Sequence, residues 1–322
     1  MIAKSEQLMN KALTTLLSIA LLLFFSSWGF YAHKKINETA VFLLPTELAK
    51  FYKKNIKAIT NMAIDPDKRC YIDSLEPVRH YIDLNEIDSE VDSIPIHWTK
   101  AKEKYSERKL LAKGIIPWQI VRTYNNLVQA FSQKDQNKII RYSADLGHYI
   151  ADSHVPLHTT SNYNGQQTNQ IGIHAFWETR LPEMFADSYD LVIGRATYTN
   201  DPLEVAWSIV KTSNSLVDSV LSIEKELSKS FNPSEIKSYI NRNNQLILTY
   251  SDQYATAFHN TLQGMVERRF RASIQTIASF WYSAWVDAGQ PKIIEFEVHE
   301  ENDNIDFSQT KSKSLGREEW HE

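Results

Sequence analysis

The sequence holds a single cysteine, Cys70, among 322 residues. No internal disulfide can form, and the cysteine-rich closed sites typical of structural zinc are excluded. Nine glycines and ten prolines leave little punctuation along the chain, and no run shows sustained apolar–polar alternation closed by hairpin turns, so extended sheet is not expected. A basic stripe is missing too. The formal net charge is −4 with acidic and basic residues interleaved, which gives no electrostatic footprint for nucleic acid. An anionic ligand would have to find its positive charge elsewhere, and bound metal is one source.

Helical periodicity dominates what is present. Helices are predicted over 33–44, 47–62, 99–113, 116–132, 135–153, 174–186, 202–228, 233–242 and 246–287, the last broken once. Start signals support several of them, such as Asp201-Pro202 and Asn232-Pro233, where proline fits the first turn. The fold class is all-α. No internal repeat and no linker rich in Gly, Pro or Ser divides 28–290, so one domain is the economical reading. Trp118, Trp207, Trp281 and Trp285 fall within helical patterns and are expected in the core. After Pro291 the chain turns polar, and 291–322 reads as a loosely ordered tail in which His299 and His321 receive no role.

The amino-terminal 27 residues have the layout of a signal peptide. Lys4 and Lys11 precede an apolar run over 12–25, which is short for a bilayer span, and small Ser26 and Ser27 follow. An uncleaved anchor is the alternative, and Phe25 is bulkier than the residue usual at that distance before a cut. Export to a periplasmic or extracellular space is the expectation, with no obligate protein partner and a monomeric state.

The densest chemistry lies between His148 and Glu178. His148 and Asp152 are four apart, as are His174 and Glu178, and on a helix such pairs project from one face close enough to grip one ion. Between them His158 follows Pro156, which ends the first helix and brings in a third imidazole. Single pairs of this kind are usually solvated faces or caps. Two pairs with a linking histidine point to a site for several metal ions. His154 falls outside the ligand register and is expected behind the site or at the surface; His97 and His259 are read as structural.

Two further segments carry the same chemistry. The motif WGFYAH at 28–33 follows the leader, and Asp65, Asp67 and Arg69 stand shortly before His80. Together with the 148–178 stretch, these motifs resemble the three-zinc phosphoesterase superfamily that unites single-strand-specific secreted nucleases with bacterial zinc-dependent phospholipase C. The resemblance runs from Trp28 to about Arg180, through spaced motifs.

It implies three zinc ions in a cleft of an all-helical domain. The first would be held by Asp67, His80, His148 and Asp152, and the second by His158, His174 and Glu178. The third would be held by the backbone amine and carbonyl of Trp28, by His33, and by Asp152 as a bridge. Only a free α-amine can serve there, which implies cleavage between Ser27 and Trp28. Either Asp65 or Asp67 stands near the expected distance before His80, and Asp67 is preferred. The interval from Trp28 to His33 and the His-Ala-Phe-Trp run at 174–177 look like the nuclease branch, whereas Glu178 looks like the phospholipase branch.

Three zinc ions bring six positive charges, and Asp67, Asp152 and Glu178 return three negative ones, which suits a phosphodiester inside an acidic protein. Zinc lowers the pKa of bound water to about 7, so a hydroxide is the expected nucleophile. Asp67 is expected to orient it, and Arg69 either neutralises charge on the phosphoryl oxygens or serves as a salt-bridge partner. The leading expectation is an exported endonuclease preferring single-stranded DNA or RNA, whose bases would stack on Phe30, Tyr31, Tyr163 or Trp177. The alternative is a phospholipase C acting on lipid head groups. A non-catalytic protein with structural zinc comes third, because such sites are normally closed and rich in cysteine.

Overall fold

The computed structural model describes residues 30–242, 245–292 and 316–317. The predicted leader at 1–27, the Trp28 ligand, His299 and His321 lie outside the described residues. Within them the chain folds as helices around one core. These are α1 (Phe30–Ala40), α2 (Thr46–Lys54), α3 (Ile56–Met62), α4 (Asp65–Arg69), α5 (Leu84–Ile87), α6 (Trp98–Tyr105), α7 (Glu107–Lys113), α8 (Ile116–Ser132) and α9 (Gln136–Ser153). Then follow α10 (Ile173–Ala175), which runs through a π-helical turn at Phe176–Arg180 into α11 (Leu181–Phe185), and α12 (Pro202–Asn214), α13 (Val217–Ser228) and α14 (Pro233–Ile236). The last helices are α15 (Asp252–Thr261) and α16 (Met265–Asp287). Among the described residues, no helix is long and apolar enough to cross a membrane.

The apolar stripe of α16 packs against α1, α8 and α9 and forms the centre of the core. Trp281 is fully buried, stacks on Tyr52 at 4.8 Å and donates from Nε1 to the Ser143 carbonyl at 3.0 Å. Trp118 packs edge-on against Trp207 at 5.2 Å. Burying such side chains contributes about 1.5–3 kcal/mol each, and all four tryptophans expected in the core are there.

Several predicted helices are broken where the backbone demands it. The 99–113 segment divides at Ser106, whose φ of 68° no helix accepts; its hydroxyl then caps α7 by accepting from the Lys109 amide. The 246–287 segment divides at Gly264, with φ 75°.

One expectation is overturned. The predicted helices over 233–242 and the start of 246–287 contain an antiparallel hairpin, β1 (Lys237–Arg242) and β2 (Gln245–Tyr250), with Tyr239 opposite Leu248. Its strands are rich in Tyr, Ile, Leu and Thr, which suit a pleated surface better than a helical face. The all-α class stands, with this small sheet added.

Candidate metal centre

Close approach of α1 and α9 sets the site. Gly147 lets Asn37 of α1 lie against α9, where Asn37 Nδ2 donates to the Ala144 carbonyl at 3.2 Å. One turn back on α1 is His33, and next to Gly147 is His148. Their rings stack with centroids 4.1 Å apart.

At the carboxyl end of α9, His148 and Asp152 face inward from successive turns, with Nε2 of the first 3.2 Å from Oδ2 of the second. Nδ1 of His148 donates to the Ala63 carbonyl at 2.8 Å, which turns Nε2 into the site. His80 follows the short turn Pro77–Arg79 and places Nδ1 3.0 Å from Asp152 Oδ2. Asp67 on α4 adds Oδ1 at 3.4 Å from His148 Nε2. Asp65, the other aspartate before His80, turns to Lys68 at 2.7 Å and is partly exposed. Asp67, His80 and His148 thus form one buried group whose donor atoms all lie within 4.8 Å of one another.

A second group joins His158, His174 and Glu178. The turn Pro156–Thr159 carries His158 and is tied down by its carbonyl, which accepts from the Ile82 amide at 2.9 Å. Glu178 Oε2 lies 2.8 Å from His174 Nε2 and 3.2 Å from His158 Nε2. Glu178 sits in the π-helical turn, a widened geometry that recurs at functional sites.

His33, His148 and Asp152 make the third group. His33 Nε2 lies 3.3 Å from Asp152 Oδ1 and 3.3 Å from Glu178 Oε1, so this histidine connects both other groups. Asp152 is divided between them, with Oδ2 toward His80 and His148 and Oδ1 toward His33.

The donor set fits zinc. Imidazole and carboxylate are zinc ligands, and the polar atoms behave as ligand atoms would. His33 Nε2, Asp152 Oδ1 and Glu178 Oε1 are buried and converge, yet none of the three makes a hydrogen bond. Buried polar atoms are normally paired, and a cation between them satisfies all three at once. The electrostatics agree. Burial opposes charge on His148, but Asp152 and Asp67 prevail and raise its pKa to about 10. Burial likewise works against ionisation of Asp152, while His148 and His158 bring its pKa down. The cluster demands positive charge, and without metal it takes up protons instead.

Arg69, expected either at the phosphoryl oxygens or in a salt bridge, is held on the far side of His80. Its guanidinium meets Asp145 at 3.0 Å, Glu76 at 3.4 Å and the Tyr149 hydroxyl at 3.3 Å. Two carboxylates occupy it, and neither is Asp65 or Asp67. Glu76 was not anticipated. It is fully buried, accepts from Arg79 and Tyr149, and lies 3.6 Å from His80 Nε2, the ring nitrogen opposite the one facing the site. Its signal in the sequence was the four-residue spacing to His80.

Of the remaining histidines, His154 is buried behind the site, where burial and Arg269 depress its pKa to about 3. His259 packs on Phe185 at 4.1 Å, and His97 is exposed before α6. Three of the expected stacking residues are buried or already engaged. Trp177 is buried and lines a partly open pocket of about 30 Å³ with His33 and Arg269. Tyr31 donates to Asp187 at 2.9 Å. Tyr163 is covered by Arg317 of the tail, whose guanidinium lies 4.1 Å from that ring and 3.9 Å from Tyr81.

Residues 32–259 match a protein family described as zinc dependent phospholipase C. No curated protein matches the chain.

Proposed function

The chain belongs to the zinc-dependent phospholipase C family, within the three-zinc phosphoesterases, and is a zinc-dependent phosphodiester hydrolase; from that premise we propose that its substrate is a phospholipid, cleaved at the head-group phosphodiester. The observation that carries the reaction class is the set of three buried His/Asp/Glu groups, linked through His148, Asp152 and His33. The choice of lipid over nucleic acid rests on the family match and on the burial or prior engagement of Trp177, Tyr31 and Tyr163.

When bound, zinc lowers the pKa of water to about 7 and neutralises phosphoryl charge. The residues of the chain hold and aim the parts. Asp67, His80 and His148 would hold one ion, His158, His174 and Glu178 a second, and His33 with Asp152 a third, to which the Trp28 amine would add. Asp67, with one oxygen toward His148, is suited to orient an attacking water. Glu76 and Arg69 are positioning residues: the carboxylate keeps the His80 ring turned with Nδ1 inward, and the guanidinium keeps the carboxylate in place. The leader motif at 1–27 supports export, so the lipid would be met outside the cytoplasm.

A second reading, hydrolysis of single-stranded nucleic acid, draws on Tyr71. This side chain is 40% exposed, and burial and the nearby Asp67 carboxylate raise its pKa, so an aromatic face stands beside the metal groups. Zinc-loaded protein assayed on phosphatidylcholine vesicles and on single-stranded and duplex DNA separates the two. Release of phosphorylated head group faster than of nucleotides is expected. Faster turnover of single-stranded DNA would move the assignment to a nuclease.

A further inference from the structure

The hairpin that interrupts the helical fold carries three large exposed apolar side chains. Tyr239, Leu246 and Leu248 are 69%, 73% and 52% exposed. Their register places Tyr239 opposite Leu248 and Asn241 opposite Leu246, so all three apolar residues share one face of the ribbon. Tyr250 shares that face at the base of β2, where it is buried flat on Phe176 with centroids 3.7 Å apart and planes 9° from parallel. Phe176 lies in sequence between His174 and Glu178, so the stack ties the hairpin to the helical segment that carries the second metal group. Ile171, 52% exposed, extends the patch, since the adjacent Gly172 approaches the Tyr250 ring and Lys237 Nζ.

A two-stranded ribbon is marginal by itself and gains nothing from apolar groups in water. Contiguous exposed apolar surface marks a contact site. The charge on this ribbon selects the partner. Lys237, paired with Tyr250, lies on the same face, and neither strand carries an acidic residue, in a chain of net charge −4. Apolar side chains with a flanking cation suit an anionic lipid surface, where the first enter the acyl boundary and the second meets head-group phosphate.

We propose that the β1–β2 face formed by Tyr239, Leu246 and Leu248 docks the enzyme on an anionic phospholipid bilayer. This builds on the phospholipid reading above by naming the surface at which the substrate is met.

The test uses the zinc-loaded full chain and a Tyr239→Ser/Leu246→Ser/Leu248→Ser variant. Co-sedimentation with phosphatidylcholine vesicles, with and without phosphatidylglycerol, measures docking. Hydrolysis of a monomeric short-chain phosphatidylcholine measures the chemistry alone. The variant should partition at least about tenfold more weakly, with a matching fall in rate on vesicles and an unchanged rate on the monomeric substrate. Lys237→Glu should weaken binding only to vesicles containing phosphatidylglycerol. Leu246→Glu alone, with an unshifted melting temperature, guards against misfolding of the triple variant.

Equal partition of wild type and folded variants would overturn the proposal. So would a wild-type dimer in solution that the triple variant loses while vesicle binding persists, because the face would then join two copies. If neither lipid is hydrolysed yet hairpin-dependent partition holds, the substrate assignment fails and the docking surface stands.

Discussion

The Ala63 carbonyl accepts a hydrogen bond from His148 Nδ1 at 2.8 Å. That bond places the ring proton on Nδ1 and leaves Nε2 as the donor atom toward Asp67, Asp152 and His80. His148 belongs to two of the three groups, so its loss damages both. His148→Ala should lower activity by at least about 100-fold with loss of bound zinc. His97→Ala, at an exposed position outside these groups, should retain wild-type rates and zinc content. Near wild-type turnover in His148→Ala would return the protein to the structural-zinc class.

Glu76→Gln tests the layer behind the ligands. The amide preserves shape but removes the charge that faces His80 Nε2 and balances Arg69 and Arg79. Zinc affinity should fall about 10- to 100-fold, and raising the zinc concentration should restore much of the activity. Unchanged affinity, measured by competition with a chromogenic chelator, would show that His80 is oriented by packing alone.

The sequence disclosed the ligand pairs because helical spacing is local: His148 with Asp152 and His174 with Glu178 declare themselves at four residues. It disclosed the core tryptophans for the same reason. It could not disclose that Asp152 divides its oxygens between groups, or that Arg69 turns to Asp145, because those depend on how α1, α4 and α9 cross. The hairpin was hidden differently. Its strands have six residues each, and apolar spacing over so short a stretch fits a helix nearly as well as a strand. Asn243-Asn244 between the two runs was the overlooked turn signal.

Metal and protons should compete. Neighbouring carboxylates raise His148 to about 10 against the opposing effect of burial, so in metal-free protein its charged pairing with Asp152 and Asp67 is fully present below the unfolded value of about 6.5 and fades as pH rises through the folded value. Zinc requires the neutral ring, so its contribution runs the other way. The gap in melting temperature between zinc-loaded and chelator-treated protein should therefore widen as pH rises from about 6.5 toward about 10, the interval between the unfolded and folded values of His148. Activity should fall in acid together with zinc release. A gap independent of pH would mean that the histidines do not bind metal.

The terminal amine is tested by the mature end. We expect exported protein to begin at Trp28 and to bind three zinc ions by native mass spectrometry. A chain extended by one residue before Trp28 should keep two ions and lose the third under mild chelation. Equal retention of all three would remove Trp28 from the ligand set.

Gly147 offers a test in which the sign of the effect decides. In an ordinary helix interior, alanine is favoured over glycine by about 1 kcal/mol, so Gly147→Ala would stabilise the protein if space allowed. A Cβ at this position would lie 2.0 Å from Oδ1 of the buried Asn37, and α1 would have to move away from α9. Overpacking of this kind costs about 1–3 kcal/mol. His33 would move with α1, away from His148 and Asp152, so zinc at the third group should be lost before zinc at the other two. Asn37→Ala removes the obstructing amide, and the double variant should be more stable than the sum of the single effects predicts. If Gly147→Ala raises the melting temperature and leaves zinc binding intact, the contact between α1 and α9 does not set the position of His33.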